Sequence, residues 1–569
     1  MASYKISKKT KTRLILLLFI LLLQGISYIV VMNIIFHKNN KIDTNKILEV
    51  MQMRGIDYLL VNNTNIWFDE TPDLQESAVH TLTGFTGDTG DALLYKDGKI
   101  TLFVDGRYHI QAEKEVKNGV KLVKLQAGQR MNDEIVKQMY SNSTLAIVSK
   151  KVSYMRYNYL KPLLEKKNIK IELLDNDPIN NYTKKRSKKF KSTGYLQKEF
   201  RPKQDTLITE LNEVSYLTGL RNFEESGSSK IYAKLFISKD GEQQLIKTQK
   251  EFEKFIEKQN KKEPDNSLAV DKYSISLYDY NLIENPVFTE DNEVAMLKSV
   301  KTNDEIVALK KAFEISDKAL LDVRQYIEDK KAGSLSEYDI YKKLIKSFKK
   351  HGAVGISFEP IVAINKNSAS AHYNQHSKDV YLNDGDLVLI DCGVYGKEGL
   401  ATDTTRVFVK GQPNELQKQV YTQVLKAFLQ AYSTTDKTGY DMHITAYNFL
   451  LNKVKVNNNN SNSKTNNTEE YFTFTHGLGH GIGISVHEFP PSLSKWEGAK
   501  QEILTNMCFT IEPGLYHKDL FGVRLENSFY RKGGKNISLT KIGFEKKLID
   551  FDILTEQERE LLKDFALLG

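Results

Sequence analysis

Cysteine is nearly absent: the chain has two, Cys392 and Cys508, among 569 residues. That excludes a disulfide framework. Each cysteine stands in an apolar run, where a buried thiol is the expected state, so cysteine usage does not fix the compartment. Acidic residues are missing from the first 40 positions, which hold Lys5, Lys8, Lys9, Lys11, Arg13 and Lys38. The formal charge of +9 is concentrated there, and the remainder carries 75 basic against 72 acidic residues. No basic stripe with interleaved aromatics is present, which excludes nucleic acid as a partner. Composition is otherwise that of a globular protein, with 40% apolar and 10% aromatic residues, so disorder is not the default. A chain of this length exceeds one hydrophobic core and divides into roughly three domains.

One apolar run reaches membrane-spanning length. Leu14 to Phe36 is interrupted only by Gln24, Gly25, Ser27 and Asn33, enough helix to cross a hydrocarbon core of about 30 Å. Five positive charges precede it, so residues 1–40 read as a basic segment and signal-anchor helix. The positive-inside rule then places the bulk of the chain on the lumenal or extracytosolic side. The competing reading is a cleaved signal peptide with its apolar region at Leu14 to Leu23, which leaves the rest in a secretory lumen.

Three sections follow. Residues 43–185 alternate strand and helix patterns: Ile56 to Val61 as a strand, then a hairpin of Ala92 to Tyr95 and Lys99 to Val104 about Lys96-Asp97-Gly98, then a helix from Tyr108 to Val116. The run Lys184-Lys185-Arg186-Ser187-Lys188-Lys189 reads as a solvated linker. Residues 186–297 repeat the theme, with a helix at Thr206 to Leu220, a strand at Ile231 to Ser238 and a turn at Lys239-Asp240-Gly241. Residues 298–569 open on a capping box, Thr302-Asn303-Asp304-Glu305, before a long amphipathic helix. An Asn-rich stretch at about 456–468 has the composition of a disordered surface loop. The fold class is α/β.

The acidic and histidine residues of the third section carry the chemistry. Asp391 ends the apolar run Leu387-Val388-Leu389-Ile390, and Asp403 follows twelve residues later. Carboxylates on paired strands of a hairpin can converge on one point. His480 lies in the glycine-rich stretch HGLGHGIGISVHEF, Glu512 follows Cys508-Phe509-Thr510-Ile511, and Glu526 follows Phe521-Gly522-Val523-Arg524-Leu525. A lone Asp at a strand end is usually a turn former, and a lone His among glycines a structural donor. Four carboxylates beside buried strands are different, because like charges there cost several kcal/mol apiece unless cations compensate them.

The order Asp391, Asp403, His480, Glu512, Glu526 resembles the five-ligand signature of the creatinase or pita-bread metallopeptidases. The surrounding words LVLIDCG, TDTTR, HGLGHGIG, IEPGLY and GVRLEN resemble that family too. Gly84-Phe85-Thr86-Gly87, Asp105-Gly106-Arg107-Tyr108 and Glu213-Val214-Ser215-Tyr216-Leu217 look like motifs of its three-domain Xaa-Pro aminopeptidases. The resemblance implies two creatinase-like α/β domains (43–185 and 186–297) ahead of a pita-bread catalytic domain (298–569). It further implies two divalent ions on those five residues, bridged by Asp403 and Glu526, whose shared hydroxide attacks an Xaa-Pro bond. The oxygen-rich donor set favours Mn²⁺, with Zn²⁺ and Co²⁺ as alternatives. Placed beside the attacking water in such a site, Glu512 is expected to shuttle its proton, and by the same resemblance His372, His476, His487 and Arg524 are accessory catalytic residues. With Tyr516, these last four line the prolyl pocket. Peptides with penultimate proline are then the substrates, and a homodimer is the expected assembly. Three features depart from the pattern: the Asp391–Asp403 interval is one residue longer, the second section is shorter, and the Asn-rich stretch is inserted. The alternatives are a prolidase-like dipeptidase with the same ligands, or a metal-free binding module, which predicts missing ligands where none is missing.

Overall fold

Short β-branched and leucine-rich runs set the first layer of the computed structural model. The structure describes residues 44–569 apart from 127, 181, 188, 194–197, 262–266, 290–292, 435–437, 452–453 and 457–469. The strands are β1 (Tyr58–Val61), β2 (Asp91–Tyr95), β3 (Ile100–Val104), β4 (Val120–Lys124), β5 (Thr144–Val148) and β6 (Lys170–Leu174). They form one sheet in the order β4-β3-β2-β1-β5-β6. The expected hairpin is present as β2 and β3, antiparallel, with Gly98 at φ +84° in the turn. A second sheet contains β7 (Thr206–Ile208), β8 (Lys234–Ile237), β9 (Gln243–Ile246), β10 (Leu268–Val270) and β11 (Pro286–Phe288), ordered β9-β8-β7-β10-β11.

Two expectations change here. The helix expected from Thr206 to Leu220 begins as the central strand β7 and turns helical only at Leu211–Thr218, capped by Glu210. Thr206, Leu207 and Ile208 are all buried, so pairing on both edges outweighs local helix propensity. The supposed solvated linker is partly buried. Arg186, 9% exposed, pairs with Glu76 and Glu225 and lies 4.2 Å from the centre of the Tyr232 ring. Its neighbour Lys184 reaches Asp73 and Glu225. Charge runs are usually solvated, but this one meets acids from both flanking layers and ties them together.

The third layer holds α1 (Asn303–Asp329), α2 (Glu337–His351), α3 (Glu415–Ser433) and α4 (Gly439–Leu450). Thr302 and Glu305 close the reciprocal cap on α1. Its strands begin with β12 (Ile361–Ile364), β13 (Leu387–Cys392) and β14 (Thr404–Val409), which run side by side. Strand alternation divides β13 between two cores: Leu387 and Leu389 pack toward α3, while Val388, Ile390 and Cys392 pack toward α1 and α2. Then come β15 (Gly479–Gly481), β16 (Glu488–Leu493), β17 (Cys508–Ile511), β18 (Gly514–Tyr516), β19 (Gly522–Arg524), β20 (Asn527–Lys532) and β21 (Lys535–Ser538). Five of them form a sheet ordered β16-β15-β17-β20-β21, and β18 pairs with β19. Both cysteines are free and buried. The apolar segment 14–36 lies outside the described residues, as does the Asn-rich stretch from 457 onward. Among the described residues no helix is long and apolar enough to cross a membrane.

Candidate metal centre and active site

The register of three strands brings the acids together. Asp391 on β13 stands opposite Thr405 on β14, and a period of two puts Asp403 on the same face as Thr405. Thr405 donates its hydroxyl to Oε2 of Glu526 at 2.8 Å, and the Glu526 amide bonds the Thr405 carbonyl. On the other sheet β15 pairs with β17. The His480 amide bonds the Thr510 hydroxyl at 3.2 Å, and the Glu512 amide bonds the Leu478 carbonyl at 2.8 Å. His480 Nε2 therefore lies 3.5 Å from both Asp403 Oδ2 and Glu512 Oε1. Ligand atoms of Asp403, His480 and Glu526 all fall within 4.8 Å of one another.

Every one of these five groups is electrostatically displaced or tethered. Burial, and then the charges of Glu526, Asp391 and Glu512, hold the Asp403 carboxyl well above the usual range. Burial and Glu526 do the same to Glu512. Glu526 is pushed up to about 7 by burial and Asp391. Burial keeps His480 neutral, lowering it to about 3. Asp391 is instead tied through Oδ2 to the Arg524 guanidinium, which also bonds Thr405 Oγ1 at 3.1 Å and the Tyr516 hydroxyl at 2.8 Å.

This donor set fits divalent cations. Among the described residues, Oδ1 of Asp391 and Oε1 of Glu526 are buried without a hydrogen-bond partner, while the second oxygen of each is fastened by Arg524 or Thr405. One oxygen held and one left bare is the arrangement of a carboxylate oriented to ligate. Asp403, His480 and Glu526 could share one cation, with Glu512 beside His480 and the bare Asp391 oxygen as further donors.

The accessory residues surround this centre. His476 has both ring nitrogens engaged: Nδ1 with the Gly477 carbonyl at 2.8 Å and Nε2 with the Tyr516 hydroxyl at 2.7 Å. It closes a chain from Arg524 through Tyr516 and has no N–H left over for a substrate. The His487 ring lies edge-on to that of His480 with centroids 4.2 Å apart, and Nδ1 meets Glu70 Oε1 at 2.6 Å. Partial desolvation alone would lower His487, but the Glu70 carboxylate outweighs it and raises the imidazole. Both side chains stay open to water, at 40% and 49% exposure, so the pair orients more than it stabilises. His372 meets the Tyr108 hydroxyl through Nδ1 at 2.8 Å. Its segment is fastened by buried Glu337, which accepts from the Ile364 amide, the Tyr373 hydroxyl and the Ser377 amide.

Sequence reasoning missed Glu70 and Thr405 as parts of the site, and gave no role to Tyr108 or to Asp88, whose Oδ2 lies 3.2 Å from the Tyr108 hydroxyl. Tyr108 belongs to a motif already noted, and Thr405 to the TDTTR word. Glu70, in the loop after β1, carries no local signal.

A carboxylate-lined divalent-metal centre behind a creatinase-type N-terminal layer defines the class, and comparison with known proteins agrees. The description "Metallopeptidase family M24" matches residues 307–531, and "Creatinase/Prolidase N-terminal domain" matches 44–179. The Xaa-Pro dipeptidase of Pyrococcus horikoshii is 31% identical over 272 residues, 48% of this chain and 67% of its own. Xaa-Pro aminopeptidase 1 of Dictyostelium discoideum is 25% identical over 559 residues, covering 85% of each chain. Among solved structures, the X-prolyl aminopeptidase of Caenorhabditis elegans, described as a cytosolic enzyme with a di-nuclear active site, superposes with a TM-score of 0.76. It shares 18% identity over 90% of this chain and 92% of its own, a likeness of fold. The chain belongs to metallopeptidase family M24.

Proposed function

We propose that this chain is a metallo-aminopeptidase that removes the N-terminal residue from peptides with proline in the second position. The observation that carries the chemistry is the pair of buried, unpartnered carboxylate oxygens on Asp391 and Glu526. The specificity is supported by likeness to an Xaa-Pro aminopeptidase across all three layers. A prolidase-like dipeptidase is the second reading, favoured by the 31% identity to an Xaa-Pro dipeptidase, though over only 48% of this chain.

Two divalent cations, when bound by the five ligands, supply Lewis acidity toward the scissile carbonyl and a water of lowered pKa. Mn²⁺ suits the oxygen-rich donors, with Zn²⁺ and Co²⁺ as alternatives. Glu512 takes and returns the proton: its Oε1 faces His480 and its Oε2 lies 3.8 Å from His476. His487, held at Nδ1 by Glu70, keeps Nε2 for the developing oxyanion or the departing proline nitrogen. Arg524 and Tyr516, braced on Asp391 and His476, form one wall of the prolyl pocket. Proline has no N–H and a fixed φ, so a site that grips the ring serves it where amide recognition fails.

Residues 1–40 serve as a membrane anchor, with the catalytic part on the extracytosolic side, and two copies associate. The division at 43–185, 186–297 and 298–569 describes the domains. Metal analysis tests the core of this reading. The purified chain should hold two divalent ions, lose them and all Xaa-Pro hydrolysis to a chelator, and hold fewer after Asp403→Ala. A fully active, metal-free preparation would refute it.

A further inference from the structure

Tyr108 belongs to the N-terminal layer, yet its hydroxyl ends against the catalytic layer. The side chain is buried, at 1% exposure, with the Phe85 ring edge-on at 5.7 Å. A Cβ at Gly87 would stand 2.7 Å from the Tyr108 ring, so the backbone closes tightly on it. The phenol oxygen lies 2.8 Å from Nδ1 of His372 and 3.2 Å from Oδ2 of Asp88. The rings of Tyr108 and His372 meet edge to face at 5.1 Å. His372 is 264 positions away in sequence, so the contact joins two layers.

A phenol has one proton for these two neighbours. A carboxylate at Asp88 can only accept, so the phenol proton goes to Oδ2. The phenol oxygen then accepts the hydrogen of His372 Nδ1. His372 is held as the Nδ1–H tautomer, and Nε2, which bonds none of the described residues, keeps its lone pair. We propose that Tyr108 and Asp88 are positioning residues for Xaa-Pro hydrolysis, fixing the orientation and the tautomer of His372 so that Nε2 faces the substrate as an acceptor. This inference rests on the aminopeptidase reading.

Burial and the charges of Arg107, Arg524, His487 and His476 hold the His372 imidazole well below its ordinary value. What its partner sets is therefore which nitrogen carries the hydrogen, not whether the ring is charged. Burial and then Glu70 push the Asp88 carboxyl up to about 6, against Tyr108, Arg107 and His487. Below that pH Asp88 gains a proton and becomes a donor. The chain of hydrogen bonds then reverses, and Nε2 carries the hydrogen.

The test uses the full chain labelled with ¹⁵N-histidine and loaded with diamagnetic Zn²⁺. The His372 ring signals are assigned by their loss in His372→Gln. At pH 8 the wild type should show the Nδ1–H pattern. Tyr108→Phe and Asp88→Ala should each show the Nε2–H pattern with an unchanged melting temperature. In parallel, Tyr108→Phe should lower kcat on an Xaa-Pro peptide by about 10- to 100-fold, the range for losing a partner of an active-site imidazole, with KM changed less than about threefold. Asp88→Ala should add nothing in the Tyr108→Phe background. An Nε2–H pattern in the wild type, or additive losses from the two substitutions, would overturn the proposal. Should Tyr108→Phe not fold, Asp88→Ala alone carries both readouts. A wild type with the expected tautomer that cleaves no Xaa-Pro peptide would sink the aminopeptidase reading and leave the positioning intact.

Discussion

Asp391 Oδ1 and Glu526 Oε1 are buried without a hydrogen-bond partner among the described residues, a cost that a bound cation would offset. In chelated protein that cost is exposed. The folded value of Glu526, about 7, lies above its unfolded one, so the folded state binds the extra proton between them. Stability from this group is present below the unfolded value and lost as pH rises through about 7. Glu526→Gln should therefore melt higher than wild type at pH 8 in chelator, and the gap should close as pH falls below about 6. With metal present the order should invert. Differential scanning fluorimetry across pH checks both. Arg524 is held by three partners in a planar fork that a lysine cannot reproduce. Arg524→Lys should weaken metal affinity about 10- to 100-fold, measured by competition with a chelating dye, because Asp391 loses its tether.

At the scale of elements, glycines decide how close the site strands come. A Cβ at Gly479 on β15 would sit 2.1 Å from the Thr510 carbonyl oxygen on β17. Gly479→Ala must push those strands apart and carry His480 away from Asp403, so activity and metal content should fall together while the far-UV spectrum survives. Thr302→Ala opens the reciprocal cap on α1 and should cost about 1 kcal/mol in urea unfolding without altering kcat. Local pattern made such elements legible. The cap, the β2–β3 hairpin and the apolar runs before Asp391 and Glu512 were all readable, because each is a contiguous stretch with its own chemistry. Strand β7 was not, because its three residues become a strand only by pairing with β8 and β10. Of the five expected ligands, Asp391, Glu512 and Glu526 were legible because each follows an apolar run, and the fold places ligand atoms of Asp403, His480 and Glu526 within 4.8 Å of one another. Glu70 and the hydroxyl of Tyr108 meet His487 and His372 across distant layers, and Asp88 joins only through Tyr108, which no local window contains.

The whole molecule depends on how the N-terminal layer is fastened to the rest. Arg186 meets Glu76 and Glu225, and Lys230 reaches Asp69 at 3.2 Å, one residue before the Glu70 that touches His487. Breaking a buried pair strands its partners, at roughly 3–5 kcal/mol. Arg186→Ala should destabilise the protein by that order in urea. It should also raise KM, because the loop bearing Glu70 loosens, and steady-state kinetics on the folded variant check this. The N-terminal layer also meets the candidate site directly, with Glu70 on His487 and Tyr108 on His372.

The most direct test of that account is product analysis by mass spectrometry. The Mn²⁺-loaded chain is incubated with Arg-Pro-Pro-Gly-Phe, with the same peptide carrying alanine second, and with Ala-Pro. Release of arginine alone from the first peptide, none from its alanine counterpart, and loss of all cleavage in Asp403→Ala are the predicted results. Cleavage confined to the dipeptide Ala-Pro, or equal cleavage of the proline and alanine peptides, would contradict it.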